Sequence, residues 1–127
     1  MIRALLVGVL VLAGCATQKP LSPELMAEVE KPLICTGSEQ CSLFWQRSLF
    51  YVNHHSAFKI QTANDSLIQT FSPTGGSPSI AFNISKEPLS GGAIRIWAKI
   101  YCDNIFGCVP DVPSEMARFK RYVRTGM

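Results

Sequence analysis

Ile94-Arg95-Ile96-Trp97-Ala98-Lys99-Ile100-Tyr101-Cys102 is the stretch of this chain that decides its fold. Aliphatic side chains alternate with charged or aromatic ones, which is the period of a β-strand with one buried face. The isoleucines are therefore predicted to face a core. Arg95, Trp97, Lys99 and Tyr101 lie on the other face, which we expect to be exposed on a one-sided antiparallel sheet because long charged side chains are rarely buried.

Three shorter strands are predicted upstream of this one. Residues 58–62 alternate apolar and polar side chains, and the turn residues 63–65 join them to a second run at residues 66–71, which indicates a hairpin. Residues 80–84 present one apolar face and form the third predicted strand. The sequence thus predicts a sheet of about four antiparallel strands.

Two helices are predicted to flank the strands. Thr36 at the N-cap and Glu39 three residues later fit a capping box that begins the first helix. The second helix covers about residues 113–124 and has one apolar side. The predicted core face of the first helix follows the spacing of one helical face and contains Cys41, Phe44, Trp45, Ser48, Leu49 and Val52.

This order of elements predicts a small α+β domain at residues 35–127, in which an N-terminal and a C-terminal helix pack on one face of the sheet. Residues 15–34 precede it as a tether punctuated by prolines. Ser22 before Pro23 is typical of a helix start, so a short helix at residues 23–30 is also predicted. The tether either holds the domain away from its attachment point or packs against it.

The N-terminal segment has the pattern of an export signal. Arg3 precedes the apolar residues 4–12, a run too short to span a bilayer as a mature helix. Leu12-Ala13-Gly14-Cys15 then resembles a bacterial lipobox. The resemblance implies a signal peptide at residues 1–14 and acyl chains on Cys15, which would anchor the protein in a membrane. Ala16 after the cysteine, by resemblance to enterobacterial sorting, favours the outer membrane, with the domain facing the periplasm.

Four further cysteines form two pairs with the same spacing, Cys35-x5-Cys41 and Cys102-x5-Cys108. In an exported protein an even number of cysteines indicates disulfide bonds, and four cysteines allow three connectivities. We favour the two local bonds because each loop contains a glycine that eases closure. A zinc site usually needs closer C-x2-4-C spacing, so no metal is predicted.

The chain as a whole is similar to small proteobacterial lipoproteins of uncharacterised function. The similarity is carried by residues 58–61, 65–70 and 102–110. It supports lipid anchoring and implies no catalytic residue.

No motif in the chain predicts catalysis or a cofactor. His54 and His55 are adjacent and so do not share a helix face, as metal ligands at i and i+4 would. Residues 74–77 lack the lysine of a phosphate loop, and residues 90–92 do not form a nucleophile elbow. The net charge is only +3, so nucleic acid is not expected as a partner.

The sequence therefore favours a non-catalytic cell-envelope binding or scaffold module, whose partner is an envelope protein or an anionic envelope polymer. An inhibitor, immunity or assembly accessory protein that presents Phe106 from its cysteine loop is the alternative, and an envelope hydrolase is a third, weaker one. The candidate binding residues are the strand face Arg95, Trp97, Lys99 and Tyr101, the loop residue Phe106, and the basic helix residues Arg118, Lys120, Arg121 and Arg124.

Overall fold

Five antiparallel strands and three helices form residues 20–127, the part of the chain that the computed structural model describes. The predicted signal peptide and Cys15 lie outside the described residues. The elements follow the order α1 (Pro23–Glu30), β1 (Leu33–Thr36), α2 (Ser38–His55), β2 (Ile60–Ala63), β3 (Leu67–Thr70), β4 (Ala81–Pro88), β5 (Ala93–Tyr101) and α3 (Val112–Thr125). The predicted α+β class is confirmed, and none of these helices is long and apolar enough to cross a bilayer.

The strands are arranged in the order β1-β5-β4-β3-β2, which makes the predicted strand β5 a central one. The sequence predicted about four strands and missed β1, whose first two residues it placed in the tether and whose last residue, Thr36, it placed at a helix N-cap. Leu33 pairs with Ile96 and Cys35 with Ile94, and both Leu33 and Cys35 are buried. Four residues are too few to show a convincing alternation, so only the pairing with β5 reveals this strand.

The core lies between one face of the sheet and helices α2 and α3. Phe82 and Ile84 of β4 and Phe119 of α3 are completely buried there. The predicted core face of α2 needs a correction, because Leu49 is exposed and Trp45 is only half-buried, whereas Tyr51 is buried. An aliphatic side chain on a helix is not always turned inward, and a tyrosine is buried where its hydroxyl finds a partner.

Helix α2 begins one residue later than the capping box predicted. Gly37 is the N-cap, with a φ of 82° that favours glycine. The Oε1 atom of Gln40 accepts a hydrogen bond of 2.8 Å from the backbone N–H of Thr36, so Gln40 rather than Glu39 reaches back across the helix start. The predicted capping box is therefore not formed, because glycine has no side chain to cap the helix and Gln40 binds the residue that precedes the N-cap.

Helix α1 starts at Pro23, as predicted, and the Oγ atom of Ser22 accepts a hydrogen bond from the N–H of Leu25. Glu24 pairs with Arg121 and Glu28 with Arg124, so α1 lies beside α3 and runs in the same direction. Of the two arrangements that the sequence left open for this segment, residues 23–34 adopt the packed one.

Both cysteine pairs are at bonding distance in the local connectivity. The S–S distance is 2.00 Å between Cys35 and Cys41 and 2.04 Å between Cys102 and Cys108. The first bond joins β1 to the first turn of α2 inside the core, while the second closes a surface loop directly after β5. The two disulfides therefore hold opposite ends of the sheet.

Candidate functional site

The sheet face opposite the helices carries the four side chains that the alternation of β5 predicted to be exposed. We call Arg95, Trp97, Lys99 and Tyr101 the β5 ridge. Trp97 is 47% exposed, which confirms the prediction that this side chain is at least partly accessible. The guanidinium carbon of Arg95 lies 3.8 Å from the centroid of the Trp97 ring, and Lys99 Nζ lies 4.9 Å from that of Tyr101, so each cation is stacked on an aromatic ring.

Hydrogen bonds to neighbouring segments hold the two aromatic rings of the β5 ridge. The indole N–H of Trp97 donates to the carboxylate of Glu87 on β4. The hydroxyl groups of Tyr101 and Ser72 are 3.0 Å apart. These bonds fix the orientation of the rings before any ligand arrives, which lowers the entropic cost of binding.

Polar side chains of β4 extend the same surface. The cross-strand register places Ser85 opposite Trp97 and Asn83 opposite Lys99, on the same face of the sheet. Both β4 side chains are half-buried rather than covered. The surface therefore combines aromatic rings, two cations, neutral hydrogen-bonding groups and one carboxylate, that of Glu87 opposite Arg95.

The basic residues of α3 do not form the free cationic face that their sequence suggested. Lys120 Nζ donates hydrogen bonds of 2.6 and 2.9 Å to the carbonyl oxygens of Val29 and Lys31. Arg124 donates to the carboxylate of Glu28 and, at 2.9 Å, to the carbonyl oxygen of Lys31. These two cations hold the C-terminal end of α1, where unpaired helix carbonyls carry negative charge. Burial beside Arg124 and Arg95 lowers the pKa of Lys120.

The remaining two basic residues of α3 are more exposed and are paired within the chain. Arg121 lies 3.5 Å from the largely exposed Glu24. Arg118 donates to Glu115 at 2.8 Å, and this hydrogen bond raises the pKa of Arg118. A surface attraction for anions on α3 would thus rest mainly on Arg118 and Arg121.

A buried carboxylate that the sequence analysis missed lies between α2 and α3. Glu115 is 3% exposed and accepts a hydrogen bond of 2.7 Å from the hydroxyl of Tyr51 on its Oε1 atom, while Arg118 binds its Oε2 atom. Burial, followed by the hydrogen bond to Glu115, raises the pKa of Tyr51 well above its usual range. The i,i+3 spacing of Glu115 and Arg118 was a visible signal for their pairing, but nothing local indicated the contact with Tyr51.

The loop at residues 102–108 presents two apolar side chains to solvent. Ile105 is 93% and Phe106 89% exposed. The loop is closed by its disulfide and is attached to a second loop, residues 74–77. Asp103 accepts a 3.0 Å hydrogen bond from the N–H of Gly76, and Asn104 donates one of 2.7 Å to the Gly76 carbonyl oxygen. Its exposed tip is therefore held by a fixed base.

The two histidines end helix α2. The Nδ1 atom of His54 lies 2.8 Å from the carbonyl oxygen of Phe50, and that of His55 lies 3.0 Å from that of Tyr51, one helical turn back in each case. Within residues 20–127, no group of three histidine, cysteine, aspartate or glutamate side chains is arranged to hold a metal ion.

No protein family, no curated protein and no solved structure matches the chain. The similarity to proteobacterial lipoproteins stays a prediction from the sequence.

Proposed function

We propose that this protein is a lipid-anchored envelope protein that binds a carboxylate-bearing glycan polymer of the peptidoglycan type without acting on it as an enzyme. The observation that carries the proposal is the β5 ridge, an ordered row of aromatic and cationic side chains on the sheet face that α2 and α3 leave uncovered. Cys15, through its lipobox, supplies the membrane attachment.

The cations, rings and neutral polar groups of the surface match the chemistry of such a polymer, while the carboxylate of Glu87 is engaged by the indole N–H of Trp97. Carboxylates of a peptide-substituted glycan are bound by Arg95 and Lys99 through charge-assisted hydrogen bonds, which are about twice as strong as neutral ones. The apolar faces of sugar rings pack on Trp97, and hydroxyl groups find donors and acceptors on Ser85 and Asn83 of the neighbouring strand.

The composition of this face favours a polymer over a protein partner. The cores of protein–protein interfaces are enriched in aromatic residues, methionine and arginine but depleted in lysine and serine. The β5 ridge contains the exposed Lys99, and it shares its surface with the half-buried polar residues Ser85 and Asn83. The alternative is that this face binds a protein partner. Sedimentation with peptidoglycan and crosslinking to envelope proteins distinguish the two.

The test is co-sedimentation of the full-length lipoprotein, in mild detergent, with purified peptidoglycan sacculi. We expect R95Q/K99Q to weaken binding at least tenfold, since about 1.4 kcal/mol corresponds to a factor of ten. W97A should weaken it as well, because it removes the packing surface. The matched control is K31Q/K59Q, which removes two exposed cations outside the ridge and should bind as the parent does.

Two results would contradict the proposal. Equal binding by all four proteins would show that the interaction is not made by the ridge. Failure of the parent protein to sediment, together with ridge-dependent crosslinking to an envelope protein, would establish the protein-partner reading instead.

A further inference from the structure

We infer that Ile105 and Phe106, at the tip of the disulfide loop, insert into the membrane leaflet that holds the lipid anchor. The inference rests on the proposed lipid anchor at Cys15 and adds a second membrane contact to it. Its ligand is the headgroup and upper acyl region of a phospholipid bilayer.

The position of the first residues that the structure describes carries the argument. Pro20, Leu21 and Met26 form one wall of a groove whose other wall includes Cys108 and Val109, the end of the disulfide loop. Cys15 precedes Pro20 by five residues, and five residues span at most about 18 Å. An acyl anchor on Cys15 would therefore hold Pro20, and the disulfide loop beside it, within about 18 Å of the membrane attachment point.

The tip of the loop has the chemistry of a membrane-inserting segment. Ile105 and Phe106 are almost fully exposed, and Val109 beside them is 71% exposed. Residues 101–117 contain no lysine, arginine or histidine, so this stretch of chain has no cation with which to bind lipid phosphate groups. Aromatic and aliphatic side chains that reach about 5–10 Å into the boundary between headgroups and acyl chains are typical of proteins that lie on a membrane.

Several polar groups of the loop are already hydrogen-bonded within the protein, which lowers the free-energy cost of inserting the tip. Asn104 Oδ1 accepts a 2.9 Å hydrogen bond from Phe106 N–H, and Asp103 and Asn104 are bonded to Gly76. The disulfide keeps the loop closed, so little conformational freedom is lost on insertion. A rigid apolar tip beside a lipid anchor would fix the orientation of the domain on the bilayer.

The test places a tryptophan at the tip of the lipidated, full-length protein. Trp45 and Trp97 are replaced by phenylalanine, and F106W is added. The protein is reconstituted in vesicles of phosphatidylethanolamine and phosphatidylglycerol that contain brominated phosphatidylcholine, which quenches only tryptophan inside the bilayer. We expect blue-shifted and strongly quenched emission that high salt does not reverse, because the contact is apolar.

The matched control is L43W in the same background. Leu43 is a half-exposed residue in the second turn of α2 and lines a groove with Thr36, which pairs with Ala93 at the start of β5. The loop follows the other end of β5, and the nine residues of that strand span roughly 27 Å. Emission from L43W should be the same with and without brominated lipid. F106W in the native background, with both natural tryptophans kept, should add a quenched component and guards against misfolding of the triple variant.

Each remaining outcome overturns the inference in a distinguishable way. Unquenched F106W in protein whose acyl groups are present by mass spectrometry removes the loop contact and leaves the anchor intact. Absence of acyl groups removes the anchor and the inference with it. Equal quenching of F106W and L43W shows a domain without a preferred orientation, and a blue shift that needs an added envelope protein assigns the tip to a protein partner.

Discussion

Removing the two cations that hold the end of α1 should release this helix while the rest of the domain stays folded. The double substitution is K120Q/R124Q. None of the side chains of α1 is buried, and an isolated helix of this length is unstable in water. Besides the half-buried Leu25 and Val29, its attachment depends on the polar contacts of Lys120 and Arg124 with the end of the helix.

The magnitude follows from these contacts. A hydrogen bond contributes about 0.5–1.5 kcal/mol net, and more when one partner is charged, but the sites here are only partly buried. We take roughly 2–4 kcal/mol for the set of contacts, which corresponds to about a 30- to 700-fold increase in the rate of amide exchange in α1.

The assay is native-state hydrogen exchange followed by NMR, with the Lys31 amide as reporter because it donates to the Ala27 carbonyl oxygen at 3.1 Å. R121Q is the matched control, since Arg121 lies 3.5 Å from a carboxylate that is 84% exposed, and such a surface pair contributes at most about 1 kcal/mol. Unchanged exchange at Lys31 in the double variant, or equal acceleration in R121Q, would refute the reasoning.

Because Lys120 and Arg124 hold α1, only some substitutions in α3 can test whether this helix binds anionic surfaces. Replacing all four cations with glutamine would detach α1 and disturb Glu115 at the same time. R121Q alone leaves intact the hydrogen bond of Arg118 to Glu115 and the hydrogen bonds of Lys120 to α1. Weak, salt-sensitive binding to anionic vesicles that is lost in R121Q would support a surface role for α3.

Three further outcomes are expected. C15S should abolish acylation and cleavage at this site, so a shortened, palmitate-labelled variant in the membrane fraction would exclude the lipoprotein interpretation. Under mild native reduction, the half-buried Cys102–Cys108 bond should open first, so that alkylation labels its thiols before those of the buried core bond. C102A/C108A should lower the free energy of unfolding by about 2 kcal/mol, as loop closure entropy predicts for this spacing. An unchanged urea midpoint would contradict this. Y51F should destabilise the protein by about 2 kcal/mol near neutral pH because Glu115 loses a buried donor. The parent's stability should fall by at most about 1.4 kcal/mol per pH unit above about pH 10, where Tyr51 ionises in the unfolded chain but not in the folded one, in which its pKa is raised. In parallel urea titrations, the difference in free energy of unfolding between the parent and Y51F should shrink there. A constant difference would contradict this role of Tyr51.

Features that depend on short stretches of chain could be predicted from the sequence. The alternation in β5 is a local property, and it correctly placed Trp97 on the accessible face. The two disulfides close short loops, so their partners are near in any fold. The start of α1 at Pro23 follows from one proline and one serine.

Features that depend on which elements meet were decided only by the tertiary structure. Residues 33–36 become a strand because β5 offers them hydrogen bonds, although about sixty positions separate the two along the chain. Lys120 and Arg124 look like a free basic face until the end of α1 lies against them. Glu115 is buried because Tyr51 and Arg118 satisfy its oxygens.

One property of the exposed surfaces could likewise be predicted from the sequence, and another was decided only by the tertiary structure. The composition of the β5 ridge was readable from its period of two, because that period alone assigns each side chain to a face of the sheet. The closeness of Pro20 to the end of the disulfide loop was not readable, because it results from α1 packing alongside α3. Periodicity, spacing and caps are set by neighbours in sequence, whereas pairing and burial are set by neighbours in space, and only the folded chain brings those together.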